Sequence, residues 1–263
     1  MIVHIVVCIK QVPETRDVAM DPEKGVLRRA EVAGKLNPFD LYALEAAVRI
    51  KEKLSGRVTA ITMGPPQAEE VIRESFLMGA DRGVLLSDPA FAGADTLATA
   101  FTLARGIGRL DSPDLIICGV QTTDGDTGQV GPGVAEFLGL PHVSYVRAIR
   151  KATREGLVME QDLGDQVAVV SLPYPCLITV DKGIGQPRLP SFRRFLETKD
   201  YPVITWGYKE LSGGDEVYFG LEGSPTQVER IFPPKVEREH VVFTDGDLAR
   251  QLYQKLLELK FVG

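Results

Sequence analysis

The sequence predicts a doubly wound α/β fold, and two patterns in its first 120 residues predict it. Four short runs of Val, Ile, Leu and Cys are typical of strands covered on both faces: Ile2–Ile9, Val58–Met63, Gly83–Ser87 and Leu115–Cys118. Segments with helical periodicity separate these runs, and strands that alternate with helices join through right-handed crossovers. We therefore expect an open, mostly parallel sheet with helices on both faces.

Two helical segments and four later strands can be justified individually. After Pro66, apolar residues recur at offsets of three and four, and Gly79 stands where a left-handed C-terminal cap belongs. The segment Leu97–Ala104 has the same periodicity before the fourth strand. Beyond Pro141, alternating runs predict added, partly antiparallel strands: HVSYVRAI, GLVMEQD, QVAVVSL and PCLITV.

The chain is predicted to divide near Lys199. Residues 1–198 contain the periodic segments and form the α/β domain. From Lys199 to Pro234 the chain is rich in Pro, Gly and charge, so this stretch would bury little core by itself. Residues 199–263 are expected to be an extended arm that ends in an amphipathic helix. Thr244 and Asp245 are candidate caps for this helix, whose apolar stripe contains Leu248, Leu252, Leu256 and Leu259.

The composition excludes several classes of function. The 30 Lys and Arg against 36 Asp and Glu give a net charge of −6, which argues against a nucleic-acid-binding surface. No apolar run reaches the roughly 20 residues of a membrane span, and the first residues lack the features of a signal peptide. We therefore expect a cytoplasmic protein without membrane insertion. Neither disulfides nor a metal site is expected, because the three histidines are scattered and apolar runs surround Cys8, Cys118 and Cys176.

The loop after the fourth strand, DGDTGQVGP at Asp124–Pro132, is the candidate binding site. It lies between a buried strand and an apolar-periodic segment, where the unpaired N–H groups of a helix's first turn bind anions. Three glycines would let a ligand approach the backbone and two polar side chains would contact it: Gly125, Gly128, Gly131, Thr127 and Gln129. The alternative is a glycine-rich, well-capped turn, since neither a Rossmann fingerprint nor a Walker motif is present.

Other segments are expected to converge on this loop. Ligands of doubly wound sheets lie outside the carboxyl ends of the strands, where the strand order reverses. Cys8–Val12 and Met63–Pro66 would meet the loop there. Asn37 is a further candidate, but NPFD also suits a helix cap, and the two interpretations explain Asn37 equally well. SGGDE at Ser212–Glu216 has no strand before it and is predicted to be a surface turn.

Long segments of the chain resemble the β subunit of electron transfer flavoproteins. They extend over nearly the whole length: VVCIKQVP at Val6–Pro13, NPFDLYALEAAVRIKE at Asn37–Glu52, TMGPPQAEEVIRESFLMGADRGVLLSD at Thr62–Asp88, AGADTLATA at Ala92–Ala100, DGDTGQVGP, and GLEGSPTQVERIFPP at Gly220–Pro234. The resemblance implies the adenine-nucleotide α-hydrolase-like form of the doubly wound fold. It also implies a heterodimer with an α subunit that carries a redox FAD and contacts the C-terminal arm.

Two branches of this family differ in the nucleotide of the β subunit. The housekeeping branch holds a structural AMP, whereas the branch with the nitrogen-fixation-associated and NADH-oxidising bifurcating proteins holds a second FAD. DGDTGQVGP and the GSPT-containing tail resemble the second branch. The resemblance thus implies FAD here, with NADH as hydride donor. The electrons would divide between a dehydrogenase or quinone-linked oxidoreductase and a low-potential carrier such as ferredoxin or flavodoxin. An AMP-holding subunit and a non-redox nucleotide sensor are the alternatives.

The resemblance also assigns candidate residues by matched position. Those expected around the adenosine are Cys8, Asn37, Asp40 and Met63. Those expected around the ribose and phosphates are Asp124, Gly125, Asp126, Thr127, Gly128, Gln129, Val130 and Gly131. Cys8 is expected to contribute its backbone rather than a reactive thiol.

The segment 183–198 matches the family's partner-recognition loop. In that loop one apolar side chain enters a pocket of the acceptor protein, and Phe192 is the candidate here. The alternative is that Phe192 belongs to the core.

The sequence departs from the family pattern in three places. Val120 replaces a Lys or Arg, the strand around Gln161 lacks an Arg, and Gly185–Gln186 stands where the family has Asn–Glu. These departures concern the partner and the bifurcating activity rather than the fold and the nucleotide site.

Overall fold

The computed structural model describes residues 2–14, 34–213, 218–227 and 240–262. Within them the strands are β1 (His4–Cys8), β2 (Gln11–Pro13), β3 (Gly34–Leu36), β4 (Arg57–Met63), β5 (Arg82–Leu86), β6 (Leu115–Gly119), β7 (His142–Ala152), β8 (Gly156–Asp162), β9 (Val167–Pro173), β10 (Cys176–Val180) and β11 (Val203–Trp206). The α-helices are α1 (Pro38–Leu54), α2 (Glu69–Met78), α3 (Thr96–Gly108), α4 (Val130–Leu138), α5 (Phe192–Thr198), α6 (Tyr208–Leu211) and α7 (Leu248–Glu258).

The main sheet has the order β11-β5-β4-β1-β6-β10-β7-β8-β9. All neighbours from β11 to β7 pair in parallel, and β8 and β9 extend the sheet in antiparallel pairing. A separate antiparallel ribbon pairs β2 with β3. The predicted doubly wound, mostly parallel fold with added antiparallel strands is confirmed.

The strand order reverses at β1. From β1 the chain moves outward through β4 to β5, and α3 then returns it to β6 on the other side of β1. Cys8 at the end of β1 is in register with Cys118 near the end of β6. The crevice outside these two strand ends is therefore the topological switch point, where ligands of such sheets bind.

The central strands are buried on both faces, as their apolar runs predict. Ile5 and Val7 of β1, and Ile9 directly after the strand, face a core that also includes residues of α1 and α2. Val6 and Cys8 face a second core with α3 and α4. The three cysteines are free and buried, in agreement with the prediction for small apolar side chains.

The stretch 199–234 was expected to bury little core by itself, and its described part packs onto the sheet and core of the preceding residues. β11 pairs with β5 and so extends the parallel sheet. Leu211 and Phe219, only 1% and 3% exposed, join the core beside α3. These are isolated apolar residues without periodicity, and their burial depends on contacts distant in sequence.

Contacts divide the chain into two compact units, Met1–Glu229 and Arg230–Gly263. The first unit thus extends past the predicted division near Lys199, because β11 and α6 pack with the sheet and α3. That the C-terminal helix packs on a partner subunit stays a prediction.

The second unit contains α7, the predicted amphipathic helix. Its cap is Asp247, whose side chain accepts a hydrogen bond from Arg250 N at 3.2 Å, so the predicted caps Thr244 and Asp245 were wrong. Asp247 directly precedes the first helical residue, which is where a side-chain cap must stand. Of the predicted turn SGGDE, residues 214–216 lie outside the described residues.

In the described ranges, no helix has the length and apolar character that crossing a membrane requires. Nor do these ranges contain a group of three or more His, Cys, Asp and Glu side chains that could hold a metal ion.

Candidate functional site

The site is built where the start of α1 packs on the end of β6. A Cβ on Gly119 would contact Asp40 Oδ1 and stand 2.8 Å from the carbonyl carbon of Phe39. No side chain fits into that space, so a glycine at this position lets the first turn of α1 approach the strand end. The polar residues that begin α1 are thereby brought to the loop after β6.

Asn37 holds the loop rather than the helix. Its side chain is buried, donates from Nδ2 to the carbonyl of Gln121 at 2.9 Å, and accepts at Oδ1 from the N–H of Thr123 at 3.3 Å. It makes no side-chain cap bond to α1 although it occupies the cap position. The interpretation of Asn37 as a side-chain cap is therefore wrong, because its amide groups are used by a segment more than 80 residues away.

Asp40 connects α1 to the end of β1. Its Oδ2 accepts from the backbone N–H of Lys10 at 2.8 Å, and its side chain is buried. Burial raises the pKa of Asp40 to about 7, and hydrogen bonds from Asn37 and the Lys10 backbone oppose this rise. The Lys10 ammonium lies 2.8 Å from the Asp124 carboxylate. The segments after β1 and β6 thus meet, as predicted.

The loop itself is a compact turn with two left-handed residues. Asp126 has a φ of 53° and Gly128 a φ of 65°. The N–H of Asp126 donates to the carbonyl of Thr122 at 2.9 Å, and Gln121 Nε2 donates to Asp126 Oδ1. The Thr96 hydroxyl at the start of α3 donates to Gln129 Oε1 at 2.9 Å. These bonds fix the loop between α1 and α3.

The N-terminus of α4 opens from this loop without a cap. Gln129 precedes the helix and makes no side-chain cap bond, and the first turn contains no acidic residue. Its first N–H groups, together with the helix dipole, therefore favour an anion at this end.

The glycines of the loop have different roles. A Cβ on Gly131 would stand 2.6 Å from the methyl group of Thr179, and one on Gly133 would stand 2.9 Å from Ala100 Cβ. Both glycines are thus explained by the packing of α4 on β10 and α3. Gly125 has only Thr122 Oγ1 near its Cβ position, at 3.5 Å, so packing does not require it. Gly125 and Gly128 remain the candidates for close approach of a ligand.

A cleft of about 450 Å³ opens beside the loop, lined by Phe39, Gln121, Thr123 and Asp126. This volume lies within the range of small-molecule sites. Three of the four lining residues were not predicted: Phe39, Gln121 and Thr123. They directly adjoin predicted residues in NPFD and QTTDGD, so proximity in sequence was the signal that could have found them.

Cys8 and Met63 lie at neighbouring strand ends. The contact with Cys8 and burial raise the pKa of the Cys118 thiol, so Cys118 is protonated at neutral pH. Met63, half-buried at the end of β4, packs against the core that contains Cys8. In the described residues neither side chain bonds to the loop, and their contact with a nucleotide stays a prediction.

For two of the three departures from the family pattern, the structure shows what surrounds the residue. Val120 is buried and its N–H donates to the carbonyl of Val180 at 2.9 Å, so its side chain belongs to the core. Gly185 has a φ of 130°, and a Cβ there would stand 2.7 Å from Nη1 of Arg49. Arg49 donates to the carbonyl of Gln186 at 3.2 Å. Nothing in the structure explains Gln161.

Phe192 is 74% exposed at the start of α5, so the alternative that it belongs to the core is wrong. Leu189 and Leu196 are exposed beside it in sequence, and its ring stacks on Phe195 at a centroid distance of 6.1 Å. Arg188 connects this segment to α1 through bonds of 2.8 Å to Glu45 and 2.7 Å to Glu52. The docking role of Phe192 stays a prediction.

A family model described as "Electron transfer flavoprotein domain" matches residues 24–209. The chain belongs to the electron transfer flavoprotein family. Full-length relatives show that it is a β subunit on the branch of the FixA proteins. The β subunits of this family pair with an α subunit and transfer electrons.

Three relatives illustrate the match. Protein FixA of Azorhizobium caulinodans is 40% identical, over 92% of this chain and 88% of that protein. The caffeyl-CoA reductase-Etf complex subunit CarD of Acetobacterium woodii is 41% identical, over 97% of this chain and 98% of that protein. The electron transfer flavoprotein subunit beta of Clostridium acetobutylicum is 43% identical, over 98% of this chain and 100% of that protein.

The raised pKa of Asp40 makes stability depend on pH. Between the usual pKa of 3.8 and about 7 the folded chain binds a proton that the unfolded chain has lost. The free energy of unfolding should therefore fall as pH rises through this window, by up to about 1.4 kcal/mol per pH unit, and level off above it. Asp40→Asn lacks this titration.

The measurement is urea unfolding of both proteins from pH 4 to pH 8. The stability of the wild type relative to Asp40→Asn should decrease between pH 4 and 7. A difference that stays constant over this range would mean that Asp40 is ionised throughout.

Proposed function

We propose that this chain holds FAD at the switch-point cleft and, with its α subunit, accepts electrons from NADH. One observation carries the proposal: the uncapped N-terminus of α4 opens from a loop that Asn37 holds against the end of β6. Backbone N–H groups at such a terminus can bind the phosphates of a nucleotide without any cation.

The chain's residues divide this work by position. Asp124–Gly131 would surround the ribose and phosphates, with Gly125 and Gly128 giving access to the backbone and Thr127 and Gln129 offering polar side chains. Both residues are buried, so Asn37 would act mainly by holding the loop and Asp40 by holding the backbone after β1. Lys10 neutralises Asp124 at 2.8 Å and so reduces repulsion between that carboxylate and a phosphate.

FAD, rather than AMP, is supported by the similarity to FixA and CarD and by the DGDTGQVGP loop. When bound, FAD supplies the capacity to accept a hydride and to release single electrons. The protein would orient this group and bind its phosphates with uncharged N–H donors. The buried strand ends at the cleft would exclude water. We further propose that the electrons divide between a high-potential and a low-potential acceptor.

The proposed partners follow from the same similarity. They are the α subunit, a dehydrogenase or quinone-linked oxidoreductase as high-potential acceptor, and ferredoxin or flavodoxin as low-potential acceptor. CarD is named as part of a complex with a caffeyl-CoA reductase, which supports docking of this chain to an acyl-CoA-type dehydrogenase. The exposed apolar residues Leu189, Phe192 and Leu196 are the proposed docking surface.

The test is the nucleotide content of the purified heterodimer. We expect two FAD per heterodimer and bleaching of the flavin absorbance when NADH is added. One FAD and one AMP would instead indicate the housekeeping type with structural AMP. A colourless complex that retains a nucleotide would support a non-redox nucleotide sensor and contradict the proposal.

Truncation of the Phe192 side chain tests the proposed docking surface separately. Phe192→Ala should slow electron transfer to the dehydrogenase acceptor by about tenfold or more, because an exposed aromatic anchor contributes on the order of 2 kcal/mol to such interfaces. Reduction by NADH and the thermal unfolding midpoint should not change, since Phe192 is exposed.

Leu163→Ala is the matched control, because Leu163 is also exposed but lies at the turn between β8 and β9. Both variants are compared in a steady-state assay with the acceptor dehydrogenase. Equal rates for the two variants would rule out docking through Phe192.

A further inference from the structure

Tyr145 has a backbone conformation that bulky side chains rarely adopt. Its φ is 58°, and it is the only aromatic residue with a positive φ in the described part of the chain. Such a conformation is unfavourable for a bulky side chain and persists where the surrounding structure enforces it, often at functional sites. Nothing in the sequence distinguishes this residue, which lies within the ordinary strand pattern of β7.

A β-bulge enforces this conformation. Val143 pairs with Ile178 and Val146 pairs with Val180, so two residues of β7, 144 and 145, lie opposite Thr179 alone. Bulges redirect a side chain and are frequent beside active sites. Here the bulge directs the ring of Tyr145 toward the loop after β6.

Thr179 connects the bulge to the first turn of α4. Its hydroxyl oxygen accepts from the N–H of Tyr145 at 3.1 Å. Its methyl group lies 2.6 Å from the Cβ position of Gly131. Because Thr179 is buried, one rigid residue sets both the bulge and the start of the helix.

The hydroxyl of Tyr145 is available to a ligand at this place. It lies 3.5 Å from the Cβ position of Gly128. The side chain has no hydrogen-bond partner among the described residues, and the residue is 49% exposed. Residues 120–140 contain no Lys or Arg, so the donors that this segment itself offers to an anion are uncharged.

We propose that the Tyr145 hydroxyl donates a hydrogen bond to a phosphate oxygen of the bound nucleotide. The inference rests on the proposed function, because it requires a nucleotide at this loop. Tyr145 then supplies, from the sheet, a donor that complements the backbone N–H groups of α4. The backbone strain is the cost of directing the hydroxyl to that position.

Tyr145→Phe tests this proposal in the purified heterodimer freed of its exchangeable nucleotide. The probes are ADP, which contains the phosphates of the adenosine diphosphate part of FAD, and adenosine, which has none. A hydrogen bond to a charged group changes affinity on the order of ten- to a hundredfold. We expect this loss for ADP and no change for adenosine, both measured by calorimetric titration.

Tyr201→Phe is the matched control. Tyr201 precedes β11, so it lies at the amino ends of the parallel strands. The site is formed by their carboxyl ends, on the opposite side. Removal of its hydroxyl should leave both affinities unchanged.

The outcomes separate this inference from the proposed function. If the wild type binds neither ADP nor FAD, the proposed function fails. If the wild type binds ADP and Tyr145→Phe binds it equally well, the proposed function stands and the role of Tyr145 is overturned. An equal loss for ADP and adenosine would also overturn it, because the hydroxyl would then not act on a phosphate.

Discussion

The close contact between the start of α1 and the end of β6 at Gly119 is the constraint on which the site depends. Since this position has no side chain, Phe39 and Asp40 lie against the strand end. Asn37 then reaches the loop after β6, and Asp40 reaches the backbone after β1. A single glycine thus brings three separate segments together at the switch point, and the loop inherits the rigidity of a buried helix and strand.

Much of the fold could be predicted because the relevant signals are local. The apolar run of β1 and the Gly-rich loop after β6 are recognisable from residue type and order alone. The roles of individual glycines were less accessible. Gly131 and Gly125 look equivalent in sequence, yet Gly131 is required by the methyl group of Thr179, about 50 residues away, and Gly125 is not required by any neighbour of this kind.

Features that depend on distant contacts could not be predicted. The bulge at Tyr145 is set by the pairing of β7 with β10, and the burial of Phe219 by aromatic contacts with Phe91 and Phe101. Asn37 likewise has a side chain suited to a helix cap but uses it on a loop that sequence reasoning could not position at that distance. In each case residue type restricted the possibilities and tertiary contact selected one.

The central claim is that a nucleotide lies against the backbone of the loop at Gly128. Gly128→Val and Gly139→Val test it most directly, because the two glycines have φ values of 65° and 64° at opposite ends of α4 and neither is tightly packed. Both variants should therefore have a similar backbone cost. Titration with ADP should show weaker binding for Gly128→Val alone, by at least tenfold. Wild-type affinity for Gly128→Val, or an equal loss in both variants, would contradict the claim.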